Sequence, residues 1–328
     1  MRRWLRRWGW TVCKALLAAA ILFFIGRQFY LNLSQLDLTT LTLRPGWLAL
    51  SAGLYLLALG GSAWFWYRLL VVFDQRPRVA TTLRAYYIGH LGKYVPGKAW
   101  ALLLRGNLMR GPDVRLGVAM ITAFYEVLTT MASGALVAAV LFAVLAPAAS
   151  ALAFHPVLVG VLLLALLGVP LLPGVFNLLV RRASARFQNV ESLRLPRLRS
   201  ATLLQGLAVI GCCWLGMGAS LWAMVQAVVP EPQPLTPEVW GRYTAMVGLS
   251  YVAGFLAFML PSGVGVREGV LDLFLAPELA SRAADGRAVA TVVVLLLRLA
   301  WTAAELLAAA VVYWLPRPRR SLMAENRS

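Results

Sequence analysis

The stretch AYYIGHLGKYVPGKAW, Ala85–Trp100, sets His90, Lys93 and Lys98 beside Gly92, Pro96 and Gly97. Ammonium groups next to a broken backbone are a means of holding an anion. The lysines supply charge, and a helix that starts after Pro96 supplies free N–H groups and the positive end of its dipole. A second stretch, LPSGVGVREGVL, has the same make-up: Pro261, Gly263 and Gly265, then Arg267 and Glu268. Pro96 and Pro261 stand 165 residues apart.

Ionisable residues also interrupt long apolar runs. Glu126 lies about 12 residues into one of them, or ~18 Å at helical rise, near the middle of a ~30 Å bilayer core. Arg298 lies at a similar depth in another. Each costs roughly 2.5–3.5 kcal/mol to insert, so partners are expected. An ion pair between Glu126 and Arg298 would satisfy both. Glu305 follows Arg298 by seven residues and so shares its helix face. Lys93, Lys98 and Arg105 then belong at one mouth of a polar pathway, and Arg267 and Glu268 at the other. Plainer readings stand beside this one. A Glu126–Arg298 pair could only fix helix register, the lysines could snorkel to anionic head groups, and His90 could be a packed hydrogen-bonding residue. His155 reads as a loop residue.

The elements that would position these groups follow from composition. The chain has 328 residues, of which 60% are hydrophobic and 13% charged, with a mean hydropathy of +0.74; soluble domains are usually about 25% charged. The expected class is all-α, a polytopic membrane protein of one transmembrane domain. Six full spans stand out: Val12–Arg27, Trp47–Leu70, Val114–Leu145, Pro156–Val180, Ala201–Val229 and Ala288–Leu315. The basic opening and the apolar run after it resemble a signal peptide, but no small-residue cleavage site follows, so an uncleaved first helix is expected. Cys13, Cys212 and Cys213 all fall in apolar runs and read as small buried residues, with no metal or disulfide framework. The net charge of +18 does not point to nucleic acid, because 24 of the 31 Lys and Arg cluster in alternate connectors. By the positive-inside rule that places both termini in the cytoplasm. The connector Leu31–Gly46 reads as an amphipathic surface segment or as packing against helices, and VVPEPQPLTPEVW as a stiff outer loop.

The two Gly/Pro-broken stretches are not expected to cross. Both flanks of the first are basic, so a crossing would strand one cluster outside; it should enter and return from the cytoplasm. The second, within Leu249–Pro277, has acidic or mixed flanks and should enter and return from the outside. Halves of roughly 47–145 and 201–315 then match in an inverted sense, the arrangement that points to a transport site in secondary transporters. Gly92, Pro96, Gly97, Pro261, Gly263 and Gly265 would be its structural hinges. No HExxH, GxSxG, GxGD, DxD or Walker motif is present, so an enzyme is not expected.

HLGKYVPGKAW followed by Arg105, and LPSGVGVREGVL, resemble the two signature stretches of the lysylphosphatidylglycerol synthase transmembrane-region family. This is the flippase-like membrane module of multiple peptide resistance factors. The likeness extends in layout from about residue 10 to 315, while only those two stretches are specific. It implies a role in moving lipids or lipid-linked intermediates between leaflets. It also matches Gly92, Lys93, Pro96, Gly97, Lys98, Pro261, Gly263, Gly265, Arg267 and Glu268 to motif positions. Two positions depart from the family pattern: Glu126 is followed by Val127 where a Glu-Arg pair is expected, and Ser262 stands where glycine is common. The soluble synthase domain is missing from the sequence, so lysyl-lipid synthesis is not expected. The leading expectation is a flippase of the bacterial cytoplasmic membrane, without cofactor, handling lipids with anionic head groups. Movement would be facilitated or coupled to an ion gradient, with Glu126 as the coupling site. An accessory scaffold for a lipid or polysaccharide synthesis enzyme, and an integral-membrane lipid transferase, are the alternatives.

Overall fold

The structure is a computed structural model that describes residues 43–95, 99–145, 156–186, 198–229, 231–257, 260–280 and 286–315, with Phe23 and Arg27. The remainder of the expected first span Val12–Arg27, most of the Leu31–Gly46 connector, Cys13, Pro96, Gly97, Lys98 and His155 lie outside the described residues. Among those described, every regular element is helical.

Four helices carry the length: α1 (Pro45–Val72), α4 (Leu116–Leu145), α7 (Ser200–Val228) and α10 (Gly286–Trp314). They have 28, 30, 29 and 29 residues and mean hydropathies of 1.5 to 2.2. At 1.5 Å per residue each is roughly 42–45 Å long, beyond the ~30 Å of a bilayer core. Their outward faces are apolar: Leu57, Val144, Leu204 and Leu307 are 75, 73, 66 and 67% exposed. Of the charged residues of the same helices, Glu126, Arg298 and Glu305, away from the helix ends, are buried, while Arg68 and Arg287, near the ends, are half-buried and exposed. Hydrocarbon outside and ions inside is the arrangement that lipid surroundings impose.

The expected span Pro156–Val180 is not a single straight helix. It consists of α5 (Pro156–Gly168), a 3-10 turn (Val169–Leu171) and α6 (Pro173–Arg186), with a bend of 61°. Pro170 and Pro173 fall at the break, and each lacks an N–H and crowds the preceding turn. The described residues thus hold four helices long and apolar enough to cross a membrane, or five spans with the bent pair; the expected first span lies outside them, so six is not reached among the described residues.

α1 and α7 run antiparallel in close contact. Ser51 Oγ donates to Ser220 O at 2.8 Å, Ser220 Oγ donates to Ser51 O at 2.7 Å, and the Phe65 ring lies against Gly206. Small residues are what allow membrane helices to approach this closely. Cys213 is buried in this seam, but Cys212, one step around the helix, is exposed, so burial of both is corrected. One end of the bundle holds Pro45, Leu145 and Val228, tied by Arg44 N–H donating to Ala227 O at 3.1 Å. The other end holds Val72, Leu116, Ser200 and Trp314, with Arg76, Arg78, Arg110, Arg115 and Arg199 around it. We call this the arginine-rich end.

Two helical hairpins complete the fold. The first is α2 (Val79–His90), a 3-10 turn (Leu91–Tyr94) and α3 (Ala99–Met109). It starts and finishes at the arginine-rich end, where Arg76 N–H donates to Asp113 O at 3.0 Å and Arg115 N–H donates to Gln75 Oε1 at 2.9 Å. The second is α8 (Pro237–Leu256), a short turn (Pro261–Gly263) and α9 (Val266–Ala280). It starts and finishes at the opposite end, where Arg242 grips Glu278 with bonds of 3.0 and 2.8 Å. Its first arm begins 12 residues before Leu249, because Pro237 suits the first helical turn and Thr236 Oγ1 caps Val239 N–H at 3.3 Å. The hairpins point at each other from opposite ends, and Arg298 joins their tips. It donates to Ser262 O at 3.4 Å and lies 6.0 Å from the Tyr94 ring.

Candidate functional site

The tips need unusual backbone. In the first hairpin a Cβ on Gly92 would lie 2.7 Å from both N and Cα of Ala101. Only glycine lets the turn pass so close to the first turn of α3. In the second, Ser262 and Gly263 both adopt left-handed backbone, with φ of 54° and 69°. A Cβ on Gly263 would lie 2.6 Å from Gly254 O. Gly265 also has positive φ, at 83°. Glycine is therefore needed for close approach at Gly92 and Gly263 and favoured by φ at Gly265, and Pro261 opens the second turn. Pro96, Gly97 and Lys98 lie outside the described residues.

Between the tips and the long helices lies a chain of buried ionisable groups. Glu305 on α10 is its densest point. Lys93 Nζ sits 2.5 Å from Glu305 Oε1, His90 Nε2 lies 3.6 Å from the same oxygen, and the Tyr55 hydroxyl also donates to it. The other oxygen accepts from the Tyr94 hydroxyl at 3.0 Å. Two donors, Lys93 and Tyr55, crowd one carboxylate oxygen, with His90 just beyond hydrogen-bond reach. His90 links this centre to a second one, because Arg105 Nη2 lies 3.3 Å from its Nδ1. Both ring nitrogens of His90 thus face cationic donors, Arg105 at Nδ1 and Lys93 at Nε2, 2.9 Å away, and a neutral imidazole accepts from only one of them. Arg105 Nη1 in turn donates to Glu126 Oε2 at 2.7 Å. Glu126 Oε1 accepts from Tyr86 at 3.0 Å and from Thr130 at 3.2 Å.

The third centre belongs to the second hairpin. Arg298 Nε approaches Glu268 Oε1 at 3.3 Å, without the angle of a hydrogen bond. A cavity of about 10 Å³ lies among Arg267, Glu268 and Arg298, enough for about one water to complete the pair. Glu268 Oε2 meanwhile accepts from Gly265 N–H at 2.7 Å, capping the start of α9. Arg267 is 7% exposed, and its guanidinium lies 4.0 Å from the Tyr251 ring and 4.7 Å from the Trp301 ring. Trp301 stacks on Tyr55, 4.3 Å away and 7° from parallel, which carries the contact back to Glu305. Among the described residues Arg267 makes no ion pair; cation–π contact worth about 2 kcal/mol in a desolvated site takes its place.

The expected pair between Glu126 and Arg298 does not form. Glu126 is taken by Arg105 and Arg298 by Glu268. The cause is the hairpin arms, which insert their own charges between α4 and α10. Lys93, Arg105 and Arg267 are also not at the mouths: they are 18, 3 and 7% exposed and sit inside. The structure therefore brings Lys93, Arg105, Glu126, Arg267, Glu268 and Arg298 into one connected region. Glu305, His90, Tyr55, Tyr94 and Trp301 belong to it as well. Glu305 had a signal, its place seven residues after Arg298 on the same face; the aromatic residues look like any membrane core residues in sequence. No family model and no curated protein matches the chain.

Proposed function

We propose that this protein moves the head group of an anionic phospholipid, or of a lipid-linked intermediate, between leaflets. The observation that supports it is the meeting of two broken hairpins, opening at opposite ends, at a buried cluster of ionisable groups. In this reading both hairpins are re-entrant, and the two halves form an inverted repeat. The arginine-rich end faces the bacterial cytoplasm with both termini, and the first span brings the number of crossings to six. The resemblance to the lysylphosphatidylglycerol synthase transmembrane-region family is part of the same proposal, as is the absence of catalysis. Irregular backbone at membrane depth is tolerated where it is buried in protein or lines a watered path. Paired interrupted segments of this kind mark the binding site in transporters.

The chemistry follows from partner exchange. Lys93 and Arg298 are already neutralised by Glu305 and Glu268, whereas Arg267 is held by rings alone. An arriving phosphate meets Arg267 first. It then competes with Glu305 for Lys93, at an oxygen that also accepts from the Tyr55 hydroxyl. Glu305, rather than Glu126, is the coupling site, because releasing Lys93 leaves it able to take a proton. Acyl chains stay in the bilayer while the head group passes.

The test uses proteoliposomes with a fluorescent anionic phospholipid and a quencher that cannot cross. Wild type, Glu305→Gln and Arg267→Leu are compared. Inner-leaflet label should become quenchable with wild type and stay protected with both variants. Equal protection in all three, with folded protein verified, would sink the transport reading.

A further inference from the structure

At the arginine-rich end, away from the hairpin tips, α2, α3 and the end of α10 enclose a cleft of about 540 Å³. Ligand sites commonly run from about 300 to 1,000 Å³. Four arginines line it, Arg76, Arg78, Arg84 and Arg110, against a single carboxylate, Asp113. Arg84 is already oriented: its Nη1 donates to Leu315 O at 3.0 Å, and its guanidinium lies 5.4 Å from the Tyr313 ring. Arg76 and Arg110 are exposed at the rim.

Apart from Thr81 and Asn107, the rest of the lining is apolar. Leu83, Leu108, Val312 and Leu315 give it an apolar floor that is itself partly open, Leu108 and Leu315 being exposed, and beside it Val311 and Trp314 are 60 and 82% exposed on α10. α10 is long and apolar enough to cross a membrane, and its terminal Tyr313 and Trp314 suit the bilayer interface, where aromatic belts collect. Guanidinium groups fork onto phosphate oxygens. A cationic rim on an apolar floor that runs out onto a lipid-facing helix suits an amphiphile rather than a soluble anion.

We propose that this cleft binds the phosphate head group of a membrane lipid, with the acyl chains lying along the outer face of α10. The shared chemistry is a phosphate anion, and the committed source is a lipid. The proposal does not rest on transport: the site would hold its lipid whether or not the tips move one.

The full chain in phosphatidylcholine nanodiscs is titrated with short-chain phosphatidic acid, and bound lipid is counted by native mass spectrometry. Parallel titrations use phosphatidylcholine of the same chain length and inorganic phosphate. Arg76→Gln/Arg110→Gln is compared with Arg110→Gln alone and with Arg287→Gln, an exposed arginine at the opposite end. Phosphatidic acid should bind wild type and Arg287→Gln alike, and the double variant roughly tenfold more weakly, as for the loss of charge-assisted bonds. The single variant should fall between. Equal binding by all variants would reduce the arginines to diffuse attraction and overturn the site. Equal binding of phosphatidylcholine would make it an acyl-chain groove. Displacement of phosphatidic acid by inorganic phosphate at the same concentration would make it a free-anion site. Either result would overturn the proposal as well.

Discussion

The two hairpins solve the same backbone problem and handle charge in opposite ways. The second holds carboxylates as well as cations, and one ion pair lies wholly within it. Glu268 on its own arm caps that arm and faces Arg298, and Arg242 on one arm clamps Glu278 on the other at the mouth. The first carries cations only. Lys93 and Arg105 find their carboxylates on α10 and α4, and its mouth is an open cleft of arginines. One hairpin is clamped at its mouth by an ion pair of its own. The other is held in place by the helices around it, which suits the first to respond when a partner changes charge and the second to act as the frame.

The sharpest way to break this comparison is to remove a borrowed carboxylate. Glu126→Ala leaves Arg105 buried without its partner, and loss of one member of a buried pair costs about 3–5 kcal/mol. Thermal unfolding in detergent should show a large drop. Arg105→Leu/Glu126→Leu should recover most of it; no recovery would mean the pair is not the cause. Next come the tips. Gly92→Ala and Gly263→Ala each force a Cβ onto backbone, and Gly263 adds an unfavourable φ, so roughly 1–3 kcal/mol is expected for each. Similar losses would show that the two tips are equally tight; a harmless Gly92→Ala would make the first tip pliable.

Opening the clamp should matter less. Arg242 and Glu278 are 30 and 17% exposed, and such partly exposed pairs contribute up to about 1 kcal/mol. Arg242→Gln should therefore lower the unfolding temperature slightly and raise hydrogen exchange at the ends of α8 and α9 only. Exchange spreading to α2 and α3 would contradict the idea that the second hairpin is self-contained. Smallest is Ser262→Gly, which relieves left-handed backbone worth about 1–2 kcal/mol while adding freedom to the unfolded chain. A small net gain in stability is expected from chemical unfolding.

The hairpins were legible in sequence because Gly and Pro break apolar runs and because basic flanks cannot be split across a bilayer. The need of Glu126 and Arg298 for buried partners was legible from their position within apolar runs, and both are buried. Their partners were not. A run gives the face of a residue but not which neighbour the face meets, and Arg105 comes from a short arm that no span pattern marks. Continuous hydrophobicity also made Pro156–Val180 look straight, although Pro170 and Pro173 stood in plain view. Tyr55, Tyr94 and Trp301 carried no signal, since a polar tip on a core aromatic reads as packing until the carboxylate beside it is placed.

The borrowed carboxylates have a consequence for how the chain is made. The arms of the first hairpin have 12 and 11 residues, about 18 and 17 Å long, so neither can cross a bilayer alone. Its cations emerge from the ribosome before Glu126 and long before Glu305. Until α10 is synthesised, Lys93 has no counter-charge and no reason to stay at depth. If the chain sits in a membrane as proposed, the first hairpin would wait near the surface during synthesis and seat only when the last helix arrives.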